Sequence, residues 1–143
     1  MKLSITDLHA VIRRHTAVEI LDLPFSFDDE VIEDASKFGL GELFLQEKPF
    51  LILSSVILSS RRAGPSKVSP SRYRGELYIT YLTKEPSTLK DARLLEGVAN
   101  KFAEQTIDGI RFRTYTPYPL SKDNGFTSYR GVIDFDFEIY RGG

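Results

Sequence analysis

The side chains able to carry chemistry gather in three stretches. One holds Asp134, Asp136 and Glu138, which alternate with Ile133, Phe135, Phe137 and Ile139. A period of two places the acids on one face of a strand and the apolar side chains on the other. Same-face neighbours on a strand lie roughly 6.5–7 Å apart, so a compact cation site would need a further ligand from another strand or subunit. The acidic face therefore reads as a solvated surface, or as the lining of a lumen or interface.

The second stretch runs from 61 to 74. Arg61, Arg62, Lys67, Arg72 and Arg74 surround Tyr73 with no acid among them. Basic residues beside an aromatic suit phosphate contact and base stacking. Gly64-Pro65 and Ser69-Pro70 are turn signals, so the segment is expected to be a flexible loop: a solvated one, a protein-docking arm or a nucleic-acid contact. The third stretch, Arg111, Arg113, Tyr115 and Tyr118, alternates arginine with aromatic residues and reads as a candidate interface strip.

Beyond these the sequence offers no catalytic, cofactor-binding or metal-binding constellation, and the chain is expected not to be an enzyme. His9 and His15 are six residues apart, about 120° around a helix, and do not form a metal pair. Phosphate-binding, dinucleotide and nucleophile-elbow glycine motifs are missing. The absence of cysteine excludes thiolate nucleophiles, zinc ribbons and disulfides.

These side chains must be held by a modest scaffold. A chain of 143 residues, 41% hydrophobic and 27% charged, suits one folded domain, 1–143. The net charge of −1 gives no general attraction for nucleic acid or acidic membranes. Residues 1–60 carry five Lys/Arg against ten Asp/Glu, and residues 61–143 carry fourteen against ten, a polarity that suits a subunit with unlike faces. The apolar run Phe50 to Leu58 is too short to span a bilayer and no signal peptide precedes it, so an intracellular product with no membrane partner is expected.

The periodicities predict a helix at about 7–15 capped by Thr6, a strand at 18–23 ended by Pro24, and a short helix from Asp28-Asp29 to Gly39. Next come a strand at 50–58 and its hairpin partner at 77–82. A helix capped by Ser87 or Thr88 presents Leu89, Ala92, Leu95, Ala99 and Phe102 on one stripe and is ended by Asp108-Gly109. Strands at 110–116 and 127–140 close the chain. The expected fold class is α+β: a single mixed, largely antiparallel sheet with helices packed on one side.

This order of elements resembles the tail terminator, or tail completion, proteins of long-tailed bacteriophages, the lambda gpU-like family. The matching parts are the helix Asp7 to Arg14, the apolar strand and polar loop Phe50 to Arg74, the strand and amphipathic helix Glu76 to Glu104, and the closing unit Tyr115 to Tyr140. The segment from Val18 to Phe50 is longer than the family's usual link. The resemblance implies a homo-oligomeric ring, a hexamer, that caps the tail tube protein, stops its polymerisation and presents a surface to head-completion or connector proteins. DNA would pass its lumen without specific binding. The protein would be made in the host cytoplasm and reside in the virion, at the head–tail junction. Two alternatives stand beside it: a nucleic-acid-binding accessory module using loop 61–74, and another phage neck or connector protein.

Overall fold

The structure is a computed structural model and describes residues 5–20, 23–27, 49–62, 70–84, 89–123 and 125–139. Among the described residues two helices and seven strands succeed one another: α1 (Ile5–Glu19), β1 (Phe25–Phe27), β2 (Phe50–Arg62), β3 (Ser71–Thr83), α2 (Leu89–Ala99), β4 (Thr106–Ile107), β5 (Ile110–Pro117), β6 (Ser121–Asp123) and β7 (Phe126–Ile139). The strands form one sheet in the order β1-β2-β3-β7-β5-β4, with β6 also paired to β7. Of the strand pairs among the described residues only β1–β2 is parallel, so the expected mixed, largely antiparallel sheet is present. The sheet curls as a half-barrel.

The main core lies on one face, and a small second cluster of Phe50 and Leu82, with Ile52 and Phe126, is buried on the other. Leu51 and Leu53 of β2, Leu77, Ile79 and Tyr81 of β3, and Ile133, Phe135 and Phe137 of β7 share one buried cluster with Leu8, Val11 and Ile12 of α1 and Leu95, Val98 and Ala99 of α2. The alternation that sends these residues inward leaves their sequence neighbours on the outer face.

Several boundaries differ from the sequence expectation. Residues 18 and 19 belong to α1 rather than to a strand: Thr16 is buried and donates its Oγ1 to Ile12 O, while Ile20 N closes a further turn onto Thr16 O. Pro24 begins a strand instead of ending one, because its carbonyl accepts from Leu51 N and aligns Phe25–Phe27 beside β2. The short helix expected at 28–39 lies outside the described residues, as do its counterparts Ser87 and Thr88 at the start of α2.

The apolar stripe of α2 is rotated from its expected phase. Leu89 is 66% exposed and Ala92 faces solvent, whereas Asp91 is buried and accepts from the Tyr81 hydroxyl at 3.3 Å. Leu95, Ala99 and Phe102 do reach the core. Asp108-Gly109 does not end that helix. With φ of 49° and 87° these residues make the two-residue turn of the β4–β5 hairpin, in which Ile107 faces Ile110; positive φ at both turn positions is what the primed hairpin turns require.

The largest correction concerns the expected loop at 61–74. β2 and β3 continue as a paired ladder to Arg62↔Ser71, past a bulge between Ile57 and Ser59, so Arg61, Arg62, Arg72, Tyr73 and Arg74 all lie in strands. Gly75 sits opposite that bulge, where a Cβ would stand 2.3 Å from Val56 O.

Candidate functional interface on the outer sheet face

Strand register brings the three candidate groups onto one surface. β7 runs between β3 and β5, with Arg72 opposite Glu138, Arg74 opposite Asp136, and Arg111 opposite the same Asp136 from the other side. The basic segment, the acidic face and the arginine strip are therefore neighbours across a single sheet.

Their charges are largely matched inside the chain. Asp136 is buried and accepts from Arg111 Nε and Arg113 Nη2, each at 2.8 Å. Burial alone would raise its carboxyl pKa, but the hydrogen bonds and charges of Arg113 and Arg111 outweigh it and hold the group below the ordinary carboxylate range. Arg72 Nη2 donates to Glu138 Oε1 at 2.8 Å. Asp134 alone of the three acids stands exposed. The face expected as a solvated surface, or as the lining of a lumen or interface, carries a ladder of ion pairs that ties β3, β7 and β5 together, with Asp134 exposed.

The basic residues divide in the same way. Arg61 and Arg74 are exposed, and neither has an ion-pair partner among the described residues. Arg62 lies in β2 with its side chain outside the described residues, and Lys67 is outside them altogether. Tyr73 points to the core, stacked on Phe137 with ring centroids 5.3 Å apart and planes 12° from parallel.

In the strip, Tyr115 packs against the core and covers Gly131, and burial pushes its phenol pKa up, with a smaller contribution from Glu96. Arg113 and Tyr118 are the exposed members of the strip, Arg113 being tied to Asp136. A cleft of about 250 Å³ opens beside the ladder between Leu58, Ser59, Arg74, Arg113 and Asp134.

Further features adjoin the candidate residues. Leu58, the bulged residue of β2, is 60% exposed, and Val56 beside it is 40% exposed. Among the described residues β1 covers β2 only at 51–53, which leaves the edge 54–62 without a neighbouring strand. On the far rim β4 and Glu104 N cover β5 only up to Arg113. Arg130 stacks between Tyr78 and Tyr118. In the run 50–58, interrupted by Ser54 and Ser55, nothing in the sequence sets exposed Leu58 apart from its apolar neighbours, and a lone arginine such as Arg130 carries no sequence signal.

His9 and His15 serve separate packing roles. His9 lies edge-on to Phe27, and His15 Nε2 bonds Lys101 O at 2.6 Å beside Phe102. Among the described residues no group of three or more histidines and carboxylates is placed to hold a metal ion, and no helix is long and apolar enough to cross a membrane.

No family model and no curated protein matches this chain. A solved structure aligns with it over 98% of this chain and 99% of its own length, at a TM-score of 0.62 and 12% sequence identity. A likeness at that identity establishes the shared fold, a curled antiparallel sheet carrying two helices, and nothing about activity.

Proposed function

We propose that this protein is a non-catalytic assembly subunit that joins copies of itself head to tail into a closed ring, acting as a bacteriophage tail terminator. The observation that carries this reading is the edge of β2 at 54–62, which no strand among the described residues covers and which bears exposed Val56 and Leu58. A long uncovered strand edge with apolar side chains is a template for pairing with another chain, and natural proteins rarely leave one bare without use. Head-to-tail closure needs two different surfaces on one chain. The β5 rim at 114–117 supplies a second, unlike edge. Strand addition across such edges supplies backbone hydrogen bonds, while the alternate side chains supply specificity.

On this reading the ring is a hexamer at the head–tail junction of the virion. It seals the tail tube protein on one side, meets a head-completion or connector protein on the other, and lets DNA pass without specific binding. Support for the phage assignment comes from the order of elements; support for self-assembly comes from the edge. Sedimentation velocity on the wild type and on Leu58→Asp tests it. The wild type is expected to form one species several times the monomer mass, and the variant to sediment as a folded monomer. A wild type that stays monomeric at high concentration removes the reading.

A further inference from the structure

The two edges of the sheet differ in a way that restricts how a second copy can join them. β2 pairs antiparallel with β3, β3 with β7 and β7 with β5, so β5 runs opposite to β2. A second copy that continues the sheet with its helices on the same side therefore brings its β2 antiparallel to this β5. Leu51 N donates to Pro24 O beside β1, and by alternation Ser55 and Ile57 turn their backbone N–H and C=O groups to the same side, where no described strand covers them. On the far rim Tyr118 N turns inward onto Arg130 O, which sends the carbonyls of Pro117 and Pro119 outward. Proline has no N–H, so at these positions the rim accepts and does not donate, and two such rims cannot bond each other there. The β2 edge holds the missing donors.

The side chains of the two edges match as well. Val56 lies opposite Glu76 and shares the outer sheet face with it, and Leu58 borders the cleft that Arg74 and Asp134 line on that face. Tyr118 lies on the same face of the far rim, its ring centroid 5.9 Å from the guanidinium carbon of Arg130. Leu120, two residues on, is exposed like Val56, Leu58 and Tyr118. Residues directly opposite one another in a sheet share a face, so apolar groups on the same face of two unlike edges can cover each other.

We infer that Tyr118 of one copy seats against Leu58 of the next, in an antiparallel β5–β2 pair whose register is set by the covered ends of the two edges. Among the described residues β4 and Glu104 N cover β5 up to Arg113, and β1 covers β2 up to Leu53. With Ile57 opposite Pro119, and the bulged Leu58 together with Ser59 opposite Tyr118, Arg62 ends at Tyr115 and clears β4, while Ser54 reaches β6 before β1 begins. Ile57 N–H then donates to Pro119 O, and Val56 falls beside Leu120. Sliding β2 toward β4 drives each cover into the opposite strand; sliding it away parts the apolar pairs. The inference rests on the ring reading above, because it names the contact between neighbours in that assembly.

The chain has no cysteine, so disulfide trapping reads this contact without background. Facing residues of an antiparallel pair bring their Cα atoms to about 4.5–5.5 Å, within disulfide reach. Full-length Leu58→Cys and Tyr118→Cys are oxidised alone and as a mixture, then separated under denaturing, non-reducing conditions. A covalent dimer is expected in the mixture and in neither variant alone. Both substitutions in one chain should give a ladder of linked subunits, because β3 and β7 separate the two positions within a chain. Val56→Cys mixed with Leu120→Cys tests the same register if one of the first variants folds poorly. Leu58→Cys mixed with Thr114→Cys, out of register, should stay unlinked; equal linking there overturns the register. A wild type that assembles by sedimentation velocity while neither in-register mixture links overturns this contact and leaves the ring reading standing. Dimers of Leu58→Cys alone would overturn it in favour of two β2 edges paired about a two-fold axis. A wild type that never assembles overturns both.

Discussion

Gly131 of β7 lies directly beneath the ring of Tyr115, so that a Cβ at position 131 would stand 2.0 Å from Tyr115 Cε2. The ring occupies the volume that any side chain on Gly131 would fill. Overpacking a well-filled site costs about 1–3 kcal/mol. Gly131→Ala should therefore lower the unfolding free energy by about 2 kcal/mol, and removing the ring in Gly131→Ala/Tyr115→Ala should recover part of that loss, which denaturant unfolding of the single and double variants measures. Strictly additive losses would show that the two residues do not share the space.

Asp136 ties β7 to β5 through Arg111 and Arg113. Its folded-state pKa is lowered, so its contribution is complete above the unfolded carboxylate value of about 4 and is lost as pH falls through the folded value. Asp136→Asn lacks that contribution at every pH. The variant should be about 1 kcal/mol less stable than wild type near pH 7, and the gap should close as pH drops below about 4. Urea titrations at the two pH values check this; a gap of constant size would mean that the carboxylate charge plays no part.

Tyr73 tests the reassignment of segment 61–74. Stacked on Phe137 in the core, it should cost about 2 kcal/mol of stability when cut to alanine. Affinity for single-stranded DNA, if any, should not change. A Tyr73→Ala protein of wild-type stability that has lost nucleic-acid binding would restore the accessory-module alternative.

Much of this fold is legible in the sequence, and the reasons are local. β7 is written in strict alternation, Ile133, Phe135 and Phe137 inward against Asp134, Asp136 and Glu138 outward. What alternation cannot reveal is the partner across the strand: register sets Arg111 beside Asp136 and Arg72 beside Glu138, and so places ion pairs along the acidic face. At 61–74 the expected loop is too wide, since Arg61, Arg62 and 71–74 pair in β2 and β3, and Arg72-Tyr73-Arg74-Gly75 already alternates outward and inward. In α2 the phase is misread because Asp91, a charged residue, is taken inward by the Tyr81 hydroxyl. Asp108-Gly109 carries the hairpin signal plainly, and reading it as a helix stop overlooks the two-residue turn between Ile107 and Ile110.

The β2 edge also gives an equilibrium handle on assembly. Leu58 is exposed at the bulge, so Leu58→Asp should leave the thermal midpoint close to the wild-type value while raising the dissociation constant of the assembly at least tenfold, read by light scattering across a dilution series. A variant that unfolds would show that Leu58 supports the core; one that assembles normally would move the interface off this edge.

Negative-stain electron microscopy of the purified protein tests the central claim most directly. Closed rings of uniform size with a central opening, about six subunits around, are the expected result. A field of single compact particles, or of open filaments with no closure, would contradict it.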